Sequence, residues 1–136
     1  MGQPVDRRAV RREIPTHLPG GYQRQCRDWS EVAVGKRAAN SVPERAVRFL
    51  EEAIELAQSC GVHGDVAIQL VRDVYDRSTG NAAQEVGGVM LTLGALSEAA
   101  DIDLIDEAVR ELDRVRDPAV IAKVRARQAE KRHQFK

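Results

Sequence analysis

Ser41-Val42-Pro43-Glu44-Arg45-Ala46-Val47-Arg48-Phe49-Leu50-Glu51-Glu52-Ala53-Ile54-Glu55-Leu56 is the stretch on which the fold turns. Ala46, Val47, Leu50, Ala53, Ile54 and Ala57 recur at spacings of three and four, the period of a helix with one buried face. Ser41 and Glu44 have capping-box spacing, and Pro43 is tolerated in a first turn. Gly61 and Gly64 should end the helix near Cys60. Phe49 and Leu56 widen the apolar face. Arg48, Glu51 and Glu55 occupy the opposite sector, and Glu52 lies at its edge.

Outward from this helix the same period persists. Asp65 can cap a helix carrying Val66, Ala67, Leu70, Val71 and Val74. Ser78-Thr79-Gly80 is a turn. Asn81, with Gln84 three residues on, can cap a longer helix through Val86, Val89, Met90, Leu93 and Leu96 to about Ala100. Asp103 can cap a helix from Ile102 to about Arg116, and Pro118 can begin a last one. Upstream, residues 28–39 read as a short first helix, with Trp29, Val32 and Ala33 on its apolar side. No strand pattern or repeat emerges, so the fold class is all-α.

Composition agrees. Aromatics are only 4% of the chain, so the core must be aliphatic, and Ala, Leu, Glu and Arg favour helix. The 136 residues suit a single domain. No apolar run approaches the roughly 20 residues of a membrane helix. The Arg-rich start is not that of a signal peptide. Cys26 and Cys60 then read as free thiols, which fits a cytoplasmic protein. The formal charge is zero but polarised: residues 1–27 carry +4, residues 118–136 carry +5 and the middle carries −9. Three regions follow: a loosely structured basic arm over 1–27, a helical domain over 28–117, and a basic C-terminal helix and tail over 118–136. The acidic centre argues against nucleic acid as partner of the main body and is compatible with a bound cation.

The carboxylates sharpen that point. On a helical wheel Glu85 falls beside Val89 and Leu96, inside the apolar stripe, among the small residues Gly88, Thr92, Ala95 and Ala99. A buried unpaired carboxylate costs several kcal/mol, so an arginine (Arg48 or Arg72), a proton or a metal should neutralise it. Glu52 and Glu55 are three apart and repel on one flank. A hard divalent cation such as Mg²⁺, with Mn²⁺ as its substitute, would relieve that repulsion and accept oxygen ligands from two helices.

Taken in order, Glu51-Glu52-Ala53-Ile54-Glu55-Leu56 and Glu85-Val86-Gly87-Gly88-Val89-Met90 resemble the MazG-like family of all-α nucleoside triphosphate pyrophosphohydrolases. The resemblance covers about Trp29 to Val115. It implies a helical bundle completed by a second copy, as a homodimer or homotetramer. It also implies Mg²⁺-dependent cleavage of a nucleotide to monophosphate and pyrophosphate. Glu52, Glu55 and Glu85 would be metal ligands, Glu51 an outer or second-metal ligand, and Glu52 or Glu51 the group activating water. Lys36, Arg48 and Arg72 would be available to phosphates, and Trp29 or Tyr75 to the base. Gly88 stands where the family pattern has Asp, and residues 56–84 form a long connection. The competing expectations are a nucleotide-binding or regulatory relative with weakened chemistry, and a structural helical interaction module.

Overall fold

The computed structural model describes residues 17–131. Its elements are α1 (Tyr22–Val34), α2 (Lys36–Ala39), α3 (Val42–Ser59), α4 (Gly64–Tyr75), α5 (Ala82–Ala99), α6 (Leu104–Val115) and α7 (Pro118–Lys131), with no strand among the described residues. The all-α expectation therefore holds.

Local chemistry sets most of the boundaries. Asn81 caps α5, its side-chain oxygen accepting from the amides of Ala83 at 3.0 Å and Gln84 at 3.2 Å. Asp103 caps α6 by accepting from the amide of Asp106 at 2.9 Å. At the end of α3, Gly61 takes φ +90°. Its amide reaches the Gln58 carbonyl and that of Val62 reaches the Ala57 carbonyl, both at 3.0 Å. This is a Schellman closure, which glycine permits at little steric cost. The end of α5 repeats the closure, with Asp101 at φ +56° in the glycine position.

Three local expectations need correction. The first helix begins at Tyr22, not residue 28, and stops at Val34. Gly35, at φ +87°, turns the chain before α2. Ser41 does occupy the N-cap of α3, but its side chain makes no capping bond. Glu44 is drawn elsewhere: 5% exposed, it accepts from Arg37 at 2.7 Å and from Gln128 at 3.3 Å. A charge-assisted tertiary contact has displaced the local box. His63, not Asp65, is the N-cap of α4. Residues 1–16 of the expected basic arm and the tail beyond Lys131 lie outside the described residues.

The packed body is formed by α1, α2, α6, α7 and the first half of α3. α1 meets α2 and α7, α2 meets α3, and α6 meets α7. Ala33, Ala38, Ala39, Leu112 and Val115 are buried there. The Trp29 indole donates to the Val115 carbonyl at 2.9 Å, and Arg125 donates to the Val32 carbonyl at 2.8 Å. These bonds pin both C-terminal helices onto α1.

The arm formed by α4 and α5 is different. Neither helix packs extensively on the body, and both expose the stripes that periodicity assigns to a core. Val66 is 51% exposed, Leu70 52%, Val86 64% and Met90 46%. No helix among the described residues is long and apolar enough to cross a membrane.

Candidate functional site

A groove of about 640 Å³ opens between α1, α3, α6 and α7. That volume is in the range of small-molecule sites. Trp29 and Phe49 contribute apolar surface to it, with Val120 and Val124 from α7. Its polar wall holds Arg45, Arg48, Arg114, Lys123, Arg127 and Lys131 against Glu52 and Glu111. A chain with no net charge has thus gathered an excess of cations along one cleft.

The acidic face of α3 borders this groove. Arg48 pairs with both Glu51 and Glu52, reaching Glu52 at 2.8 Å. Lys131 at the end of α7 reaches Glu51 at 2.7 and 2.9 Å. Hydrogen bonds from Lys131 and then Arg48 hold the Glu51 carboxyl below its ordinary range. The Glu55 side chain, one turn on, makes no hydrogen bond or ion pair with the described residues and is exposed. At the groove mouth, Glu111 is bound by Arg114 at 2.6 and 2.8 Å. That contact lowers the pKa of Glu111 and raises that of Arg114. Across the groove, burial first and a hydrogen bond with Cys26 second push the Tyr22 phenol up to about 12.

Glu85 sits elsewhere. It lies in the first turn of α5, is exposed, and folds back over Gly80, filling the space a Cβ there would need. The buried Glu85 expected from the wheel is therefore not found in the single chain, because it lies at the exposed start of α5, a helix that packs extensively on no other among the described residues. Nor does it pair with an arginine: Arg48 is committed to Glu51 and Glu52, and Arg72 stands exposed on α4 without a charged partner among the described residues.

Among the described residues no group of three His, Cys, Asp or Glu side chains comes together to hold a metal. The glutamates are chemically suited to a hard cation, but one chain does not assemble them. Of the expected phosphate and base contacts, Arg48 and Trp29 line the groove and Lys36, Arg72 and Tyr75 do not. Trp29 has already spent its indole N–H on Val115. Cys26 and Cys60 are both free.

Among the groove residues that periodicity does not single out are Arg45, Lys123 and Arg127. Arg45 sits between apolar positions on α3, and the other two looked like part of a solvated basic tail. Their spacing of four residues on a helix was the available signal. Compared with protein families, curated proteins and solved structures, the chain finds no match.

Proposed function

We propose that the protein is a nucleotide pyrophosphohydrolase of MazG-like type, Mg²⁺-dependent, cytoplasmic and built from two or more copies. The observation that carries this reading is the juxtaposition along α3 of an acidic face (Glu51, Glu52, Glu55) and a basic, partly apolar groove of nucleotide-compatible size. Trp29 and Phe49 would border the base. Arg48 would exchange a carboxylate for a phosphate oxygen. Glu52 or Glu51, once released from Arg48, would orient or deprotonate water. Glu52, Glu55 and Glu85, with Glu51, are the residues that would hold Mg²⁺. When bound, the ion would neutralise phosphate charge and lower the pKa of an attacking water.

Surface area supports assembly. The chain exposes 11243 Å², whereas a folded monomer of 15.1 kDa exposes about 7,000 Å². Assigning residues 1–16 and 132–136 the area of a wholly extended chain still leaves an excess of about 1,400 Å². A stable interface of ordinary size buries about 800 Å² per partner. The α4–α5 arm supplies that surface, and a second copy packed on it is the means by which Glu85 would gain neighbours.

The test is release of pyrophosphate from a panel of nucleotides with Mg²⁺, for the wild-type protein and for Glu55→Gln and Glu85→Gln. Turnover that falls at least about a hundredfold in both variants is expected. No turnover of any nucleotide, or turnover indifferent to both changes, refutes the reading. A second reading, a nucleotide-binding relative without chemistry, is favoured by the commitment of Glu51 and Glu52 to Arg48. Nucleotide-dependent thermal stabilisation without product would select it.

A further inference from the structure

We infer that the groove carries a dedicated polyphosphate site, formed by Arg45 from α3 and by Lys123 and Arg127 from α7. The inference deepens the nucleotide reading above by naming which residues grip the phosphate chain, and it stands on a different observation. Arg45 has two buried guanidinium nitrogens, Nε and Nη2, with no hydrogen-bond partner. Arg45 as a whole is part-buried and lines the groove. A guanidinium cannot shed its charge to escape burial, so an anion in the groove would offset the cost of its covered nitrogens. Its neighbours do not supply that anion. Glu44 is committed to Arg37 and Gln128. Glu51 and Glu52 are committed to Arg48, and Glu51 to Lys131 as well. Burial accordingly lowers the Arg45 pKa, with the nearby Arg48 adding to the effect and Glu44 opposing it.

Lys123 and Arg127 stand one helical turn apart on α7, and their side chains also lack any hydrogen bond or ion pair with the described residues. Both line the same groove as Arg45. Three cations left unneutralised along one cleft call for a multiply charged anion. Guanidinium forks match phosphate oxygens bidentately. The apolar surface of Trp29 and Phe49 beside them suits an attached ring. A groove of about 640 Å³ with three clustered cations fits a single di- or triphosphorylated molecule better than the continuous basic stripe a nucleic-acid backbone follows.

The experiment is calorimetric titration of the full chain with sodium tripolyphosphate and with pyrophosphate, at low ionic strength and without divalent cation. A nucleoside triphosphate and a short single-stranded oligonucleotide follow as separate arms. Arg45→Met keeps the aliphatic stem and removes the charge. It should weaken tripolyphosphate binding at least about tenfold while leaving the anion-free melting temperature equal or higher, because an unpaired buried charge has gone. Arg127→Gln is exposed and cannot plausibly unfold the chain, so it guards against a folding artefact; it should weaken binding severalfold. Wild-type protein that binds neither tripolyphosphate nor pyrophosphate overturns the site. So does Arg45→Met or Arg127→Gln binding tripolyphosphate like wild type, or the oligonucleotide outcompeting tripolyphosphate. Because the probe is not a nucleotide and no Mg²⁺ is present, the two readings fail separately. Binding without hydrolysis refutes only the pyrophosphohydrolase; hydrolysis with binding indifferent to Arg45 refutes only this site.

Discussion

Leu91→Asp tests the assembly on which the proposed chemistry depends. Leu91 lies in the middle of α5 and is 75% exposed in the single chain. Fully burying a leucine side chain is worth about 1.5–3 kcal/mol, so covering the exposed part is worth about 1–2 kcal/mol. In a two-fold dimer the change is counted in both copies. The loss is then about 2–4 kcal/mol, or about thirtyfold to several hundredfold in the dissociation constant. A buried carboxylate in place of the leucine adds to this figure. Sedimentation equilibrium is the assay. Wild type should have at least twice the 15.1 kDa chain mass at micromolar concentration, and the variant should dissociate across that range. Helical signal at matched concentration reports whether each chain stays folded. Wild type sedimenting as a single chain, or the variant dimerising with unchanged affinity, would refute the argument that α4 and α5 are exposed because their partner is a second copy.

Other expectations concern the body and the site. Trp29→Phe removes the donor to the Val115 carbonyl; at about 1–2 kcal/mol for a half-buried bond it should lower the melting temperature by about 4–10 °C, and an unchanged melt would show that the bond contributes nothing. Glu51, held low by Lys131 and Arg48, stabilises the docked end of α7 above the ordinary carboxylate value of 4.5. That contribution is lost as pH falls through its depressed folded value. Hydrogen exchange along α7 should accelerate there, and in Glu51→Gln the acid-dependent change should disappear. Gly88→Asp adds a Cβ that meets nothing within 4 Å. It should be tolerated, with a gain of about 0.3–0.5 kcal/mol from helix propensity, and under the proposed function it should raise Mg²⁺-dependent turnover. A drop in melting temperature would contradict the open space; a fold that holds without added turnover would remove Gly88 as the explanation for weak chemistry.

Much of the helical frame was legible in the residues taken in order. Asn81 and Asp103 cap the helices they were expected to cap, and Gly61 closes α3. Those devices act over a few residues of backbone, so their information is local. Where a distant group competes, reading in order fails. The spacing of Ser41 and Glu44 describes a capping box, yet Arg37 and Gln128 attract Glu44 more strongly than an amide of its own turn does.

The wheel also described the face of Glu85 correctly and its environment incorrectly, since periodicity says which side chains share a surface and nothing about what covers it. The groove depends wholly on three-dimensional packing. Arg45 and Arg127 are far apart along the chain, and only the docking of α7 against α1 and α3 brings them to one wall. Helix identity follows from hydrogen bonds and side-chain spacing within a few turns. Which charges meet, and which are left without a partner, follows from contacts between helices distant in sequence, and it is there that the candidate chemistry resides.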